Sequence, residues 1–215
     1  GVGADVGIAL DGDGDRLVMV DHLGRLVDGD RLLYVIARDR HRQGELKGPV
    51  VGTVMSNLGL EQSLQADGIP FLRAAVGDRY VLAMLREHGG VLGGETSGHL
   101  LCLDRTTTGD GLVSALQVLA VMKRTGRPLA ELTAGMPQFP QVMVNVRVRE
   151  RIDPRQSPAI QAAVSRVEAA LGRTGRVVLR ASGTEPLIRV MVEGEDEAVV
   201  TRYANELAET VRQSI

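Results

Sequence analysis

Tryptophan is absent from the sequence, and aromatic residues make up only 2% of its 215 positions. A core built from this chain must therefore be aliphatic, drawn from Val, Leu, Ile, Ala and Met. Cysteine occurs once, at Cys102, which excludes an internal disulfide and fits a reducing compartment. Set in the apolar run Leu100-Leu-Cys-Leu103, it reads as a small core residue rather than a nucleophile. No excess of one charge sign exists: 25 basic residues face 27 acidic ones, a net charge of −2. A basic footprint for nucleic acid is thus missing. No apolar run approaches the roughly 20 residues of a membrane-spanning helix, and the opening residues carry no basic-then-apolar pattern. These absences predict a cytoplasmic protein with neither nucleic acid nor membrane as partner.

What is present begins with Asp11-Gly-Asp-Gly-Asp-Arg16. Apolar runs flank it, Val6 to Leu10 before and Leu17 to Val20 after, each the length of a buried strand. Three carboxylates at alternate positions repel one another unless a cation neutralises them. Gly12 and Gly14 let the backbone bend so that alternate side chains converge. A hard divalent ion with oxygen ligands is the expected occupant, and Mg²⁺ typically takes a few carboxylates and leaves its other positions to water or phosphate. An EF-hand is excluded, because its Gly and Glu positions hold Arg16 and His22 here and strands replace the flanking helices. A strand ending in Asp-x-Asp also resembles haloacid-dehalogenase-type phosphatases, in which Asp11 would be a nucleophile. A solvated acidic turn is the plainest alternative.

With 215 residues the chain can form one large domain or two smaller ones. Residues 1 to 29 read as strand, loop, strand and a short third strand, too small a unit to bury its own faces. From Asp30, placed as a helix cap, strands and helices alternate: helix from 30, strand 50–55, helix 58–66, strand 71–76, helix 80–88, strands 91–92 and 100–103. A longer helix, 110–123, carries Leu112, Ala115, Leu116, Leu119 and Met122 as its apolar stripe. This alternation predicts a three-layer α/β domain with a largely parallel or mixed sheet. Gly135, Pro137 and Pro140 mark a boundary. Beyond it the order strand, helix, two strands, helix predicts a smaller α+β (βαββα) domain. The expected division is 1–29, 30–136 and 137–215.

Two further loops carry polar chemistry. In Gly94-Glu-Thr-Ser-Gly-His99, a carboxylate, two hydroxyls and an imidazole sit on a Gly-flanked turn, where Glu95 can grip a vicinal pair of sugar hydroxyls. A solvated turn fits the same residues. In Arg180-Ala-Ser-Gly-Thr-Glu-Pro-Leu-Ile-Arg189, Ser182 and Thr184 offer hydroxyls, and Gly183 lets consecutive amides form an anion nest. Arg180 and Arg189 offer guanidinium forks suited to phosphate. A polar hairpin with two surface arginines fits that composition equally.

Taken together and in this order, the three loops resemble those of the α-D-phosphohexomutase family: the metal loop at 11–16, the sugar-binding loop at 94–99 and the phosphate-binding loop at 180–186. The flanking text Gly52-Thr-Val-Met-Ser-Asn57, Val76-Gly-Asp-Arg-Tyr80 and Thr106-Thr-Thr-Gly-Asp110 resembles the branch acting on glucosamine phosphates. The resemblance covers essentially the whole chain. It implies an isomerase that interconverts glucosamine 6-phosphate and glucosamine 1-phosphate through a 1,6-bisphosphate and a phosphoserine, on the route to UDP-N-acetylglucosamine and peptidoglycan precursors.

By this resemblance Asp11, Asp13 and Asp15 hold Mg²⁺, and Arg16 supports the same phosphate. Glu95, Ser97 and His99 read the sugar, while Arg180, Ser182, Gly183, Thr184 and Arg189 hold the phosphate that is not reacting. Thr96 differs from the Asn or Gln of the amino-sugar branch and from the Met of the phosphomannomutase/phosphoglucomutase branch, so the amino-sugar assignment rests on the flanking sequence. Members of the family have four domains, with the serine in the first. No residue here matches that serine loop, since Ser56, Ser97 and Ser182 fall in other motifs. The expectation is a C-terminal fragment: the tail of domain 2, then domains 3 and 4, inactive without the missing N-terminal domains of the same chain. The alternatives are a phosphomannomutase/phosphoglucomutase and a non-catalytic sugar-phosphate-binding piece.

Overall fold

The computed structural model describes residues 3–148, 153–182 and 185–214. Its chain divides into two compact units, residues 1–138 and 139–215. Gly183 and Thr184, assigned above to the phosphate loop, lie outside the described residues.

The first unit opens with a three-stranded antiparallel ribbon, β1 (Val6–Leu10), β2 (Leu17–Asp21) and β3 (Leu26–Val27), in the order β1-β2-β3. The β2–β3 turn is fixed by the Asp21 carboxylate, which accepts from the Leu23 and Arg25 amides and from the Arg25 guanidinium. Alternation along β2 points Leu17 and Met19 into the main core beside Val27. A ribbon too small to bury itself is in this way absorbed into the α/β core.

A second sheet of β4 (Val50–Thr53), β5 (Phe71–Ala74), β6 (Leu92–Gly94) and β7 (Leu100–Cys102) runs in the order β5-β4-β6-β7. β4 pairs parallel with β5 and β6, and β7 closes the edge antiparallel to β6. Alternation sorts the side chains between its two faces. Val50, Phe71, Leu92, Leu100 and Cys102 join the main core, and Val51, Leu72 and Leu101 join a smaller cluster on the other side. Helices α1 (Gly29–Arg42), α2 (Leu58–Ala66) and α4 (Gly111–Thr125) contribute to the first face, and α3 (Asp78–His88) covers the second through Val81 and Leu85. The result is a three-layer α/β unit with a mixed sheet.

Three details depart from the sequence expectation. The cap of α1 is Asp28, whose side chain accepts from the Arg31 amide, and Asp30 lies one step inside the helix, fully buried. On α4 the buried side is Gly111, Ser114, Ala115, Val118 and Val121, while Leu112 and Leu116 are exposed at 59% and 53%. Small residues face inward because the helix start must approach the 11–16 loop closely: a Cβ at Gly111 would stand 2.9 Å from the Gly14 carbonyl oxygen. A short helix, α5 (Leu129–Thr133), interrupts the stretch before the boundary and buries Leu129 and Leu132.

The second unit follows the expected order, with β8 (Gln141–Arg147), α6 (Pro158–Leu171), β9 (Gly175–Ala181), β10 (Leu187–Gly194) and α7 (Glu197–Gln213). β10 is the central strand, antiparallel to β8 and β9. Ser157 caps α6 and Asp196 caps α7. Ile160, Val167 and Leu171 of α6 pack with Val200, Leu207 and Val211 of α7 over Ile188, Val190 and Val192 of β10. No helix among the described residues is long and apolar enough to cross a membrane.

Candidate functional site

Open parallel sheets present their loops beyond the carboxyl ends of the strands. In the first unit those are residues 54–57 after β4, 75–77 after β5 and 95–99 after β6. The 11–16 loop meets the last of them directly. The Leu17 amide donates to the Gly98 carbonyl at 3.0 Å, Arg16 and His99 form an isolated antiparallel bridge, and the His99 Nδ1 lies 3.0 Å from an Asp15 carboxylate oxygen. Two segments more than eighty residues apart in sequence are therefore joined edge to edge.

Within the 11–16 loop, oxygens of Asp11, Asp13 and Asp15 lie within 4.8 Å of one another. Gly14 takes φ +75°, a left-handed conformation that favours glycine, and its carbonyl accepts from the Gly111 amide at the start of α4. Asp11 accepts from the Arg16 amide at 3.1 Å and from the Arg16 Nε at 2.7 Å. Desolvation alone would raise the Asp11 pKa, but those two bonds, with a contribution from Asp13 and the Arg16 charge, outweigh it and bring the carboxyl down to about 2. Asp15 keeps one buried oxygen, Oδ1, without a hydrogen-bond partner. Converging carboxylates, one with a buried oxygen that accepts no hydrogen bond and has the Arg16 Nε 3.8 Å away, match the donor set of a hard divalent cation.

The 94–99 loop is shaped by close approach to α1. A Cβ at Gly29 would run into the Glu95 carbonyl oxygen and stand 2.7 Å from the Gly98 nitrogen. The Gly29 amide donates to the Thr96 carbonyl at 3.1 Å. Gly98 takes φ +94°, and a Cβ there would collide with the Leu17 backbone. Glu95 is oriented from the neighbouring loop, accepting from the Gly77 amide at 2.9 Å. Asp13, Asp15, Arg16, Gly77, Asp78, Glu95, Ser97 and His99 line one open cleft of about 320 Å³. Four carboxylates face one guanidinium there, so an anionic ligand would be repelled unless a cation shared the site. Gly77 and Asp78 join this lining; the sequence marked the stretch Val76 to Tyr80 that holds them but gave the two no site role. The signal was a Gly-Asp pair at the carboxyl end of a parallel strand.

In the second unit, Arg180 on β9 pairs in register with Arg189 on β10. Neither forms an ion pair with an acidic side chain among the described residues, and the Arg180 Nε is buried without a hydrogen-bond partner. Desolvation and the adjacent Arg189 guanidinium lower the Arg180 pKa. Ser182, 5% exposed, accepts from the Glu185 amide, and its own amide donates to the Leu187 carbonyl. Two guanidinium groups facing across one strand pair, with no carboxylate paired to either among the described residues, have the charge and geometry to hold a dianion. The contrast is Arg176, four residues earlier on β9, which is neutralised by the buried Glu193 at 2.6 Å.

Comparison with known proteins gives consistent results. The family model for phosphoglucomutase/phosphomannomutase, alpha/beta/alpha domain III, matches residues 28–139, and that for the C-terminal domain of the same proteins matches residues 143–210. A phosphoglucosamine mutase of Methylococcus capsulatus is 63% identical over 211 residues, covering 98% of this chain and 47% of that protein. The phosphoglucosamine mutase of Alkalilimnicola ehrlichii is 60% identical with the same coverage. The chain spans about half the length of the curated relatives it matches. Among solved structures, Aspergillus fumigatus N-acetylphosphoglucosamine mutase in complex with GlcNAc-6P and magnesium shares the fold with a TM-score of 0.80 at 23% identity, over 95% of this chain and 51% of that one. A phosphoglucomutase/phosphomannomutase family protein of Burkholderia thailandensis has a TM-score of 0.77 at 24% identity, over 98% of this chain and 47% of that one.

Proposed function

The chain belongs to the phosphoglucomutase/phosphomannomutase family, and we propose that it is the C-terminal part of a phosphoglucosamine mutase, with residues 1–29 the tail of a metal-loop domain, 30–136 a sugar-binding domain and 137–215 a phosphate-binding domain. The complete enzyme is an isomerase exchanging glucosamine 6-phosphate and glucosamine 1-phosphate through a 1,6-bisphosphate, with the phosphoserine supplied by sequence outside this chain. The observation that carries this reading is the junction of the 11–16 and 94–99 loops, with His99 on Asp15 and both loops lining one cleft. High identity to proteins named phosphoglucosamine mutase supports the choice of sugar.

Asp11, Asp13 and Asp15 are the residues that would hold Mg²⁺. The bound ion supplies positive charge against the oxygens of a phosphoryl group in transfer, a reaction accelerated mainly by positioning and charge neutralisation. Arg16 keeps Asp11 ionised and oriented. His99 fixes Asp15 through Nδ1, and its Nε2 has no protein partner. Glu95, held by the Gly77 amide, and Ser97 read sugar hydroxyls. Arg180, Arg189 and Ser182, with Gly183 and Thr184 by family resemblance, grip the phosphate that is not reacting.

The test is ³¹P NMR of phosphosugar interconversion with Mg²⁺. The full-length polypeptide containing this stretch is expected to convert glucosamine 6-phosphate faster than glucose or mannose phosphates. The present chain alone is expected to convert none. Faster turnover of glucose or mannose phosphates would sink the amino-sugar assignment, and turnover by this chain alone would sink the claim that its serine lies elsewhere.

A further inference from the structure

An acidic side chain in the first turn of a helix ordinarily stays in water, where it gains from the helix dipole. Asp30 of α1 does not: it is 0% exposed. Its Oδ2 accepts from the Asn57 amide at 2.8 Å and from the Thr96 hydroxyl at 2.8 Å, while Oδ1 is buried without a hydrogen-bond partner. A buried carboxylate left half-satisfied is costly. Here one oxygen is a common acceptor for the loop after β4 and the loop after β6. Thr96 itself is half-buried and does not line the cleft, although Glu95 before it and Ser97 after it both do. Along 95–97 the side chains therefore alternate: out to the cleft, in to Asp30, out to the cleft.

From this geometry we infer that Asp30 is a positioning residue for the 94–99 loop, and that the Thr96 hydroxyl is its tether rather than a contact to the sugar. The inference rests on the reading of 94–99 as the sugar-binding loop. The remaining ties of the loop all run through backbone atoms or through groups at its ends: Gly29 to the Thr96 carbonyl, Leu17 to the Gly98 carbonyl, Gly77 to Glu95 and Asp15 to His99. The Thr96 hydroxyl is the side-chain tie between the loop's two cleft-facing residues, beside the backbone bond from Gly29 to the Thr96 carbonyl. Releasing it leaves the stretch between Glu95 and Ser97 held by that single backbone bond and by its margins. A Thr or Ser at this position can make the bond; Val, of the same shape, cannot.

The experiment compares the chain with Thr96→Val, Thr96→Ser and Asp30→Asn. It uses amide hydrogen exchange followed by mass spectrometry, thermal melting, and calorimetric titration with glucosamine 6-phosphate in Mg²⁺. Thr96→Val is expected to speed exchange of the peptide spanning 94–100 by about tenfold with a near-normal melting midpoint, and to weaken any sugar-phosphate binding by a similar factor. Thr96→Ser restores both, and Asp30→Asn, which keeps one acceptor oxygen, falls between. Unchanged exchange in Thr96→Val overturns the inference. So does a rise in exchange spread over the whole first unit together with a lowered midpoint, because the bond would then serve the fold and not the loop. Absence of binding by the unaltered chain, with the loop still loosened by Thr96→Val and rescued by Thr96→Ser, counts against the sugar-loop reading and leaves the tether standing.

Discussion

Burial pushes the Asp30 carboxyl up from its ordinary 3.8 to about 6, with Asp28 adding to the rise and the Asn57 amide and the Thr96 and Ser56 side chains opposing it. A group whose pKa is raised on folding stabilises the native state most when protonated. Its contribution is complete below the unfolded value, declines as pH climbs, and is gone above the folded value. For Asp30 that window is roughly pH 4 to 6, and the contribution is about 3 kcal/mol. Asp11 and Asp21 are shifted down, so their opposing effects fall below that window. Asp30→Asn should therefore flatten the loss of stability between about pH 4 and pH 6 seen by urea denaturation; an unaltered slope would show that Asp30 does not titrate there. Gly29→Ala is a second test at this scale. Its Cβ meets the Glu95 carbonyl backbone, and a cost of about 2 kcal/mol or more is expected in the same assay. The sequence showed the carboxylate-rich loop and the polar turn plainly, because their chemistry is local. It did not show which acid of Asp28-Gly-Asp30 would be buried, since that depends on Thr96, 66 residues away.

At the scale of elements, helix ends carry short-range signals, although at α1 the cap is Asp28 and not the expected Asp30. Asp110 and Ser157 accept from the amides of Val113 and Ile160, and Gly89 and Gly126 take the left-handed conformation that ends α3 and α4. The inward face of α4 was not legible in the sequence. Its larger side chains suggested a stripe through Leu112 and Leu116, but contact with the 11–16 loop and α1 selects Gly111, Ser114, Val118 and Val121 instead. Paired replacement Leu112→Gln and Leu116→Gln should accordingly change unfolding free energy by less than about 0.5 kcal/mol. Val118→Ala should cost about 2 kcal/mol. Chemical denaturation of the two variants checks the assignment, and equal costs would refute it. The short α5 escaped notice because five residues carry too little periodicity to stand out.

For the whole molecule, the two units have separate cores, and each is expected to answer to its own ligand. Mg²⁺ at ten times its dissociation constant should stabilise the first unit by about 1.4 kcal/mol. Asp13→Asn should abolish the gain, read as a shift in the melting midpoint. Among its described residues, the stretch 139–215 has the β8-β10-β9 sheet, α6, α7 and its own apolar cluster, and the segment made alone should melt cooperatively by circular dichroism. A broad, non-cooperative melt would show that it borrows stability from its neighbour.

The lone sulfur gives these experiments an internal clock. Cys102 is the only thiol in the chain; it is 1% exposed in the core of the first unit, and burial pushes its pKa up. A disulfide dye can react only when that core parts and the thiolate meets solvent. The colour released by an untagged, unmutated sample thus reports breathing of residues 1–138 alone, with the Arg180–Arg189 unit chemically silent throughout.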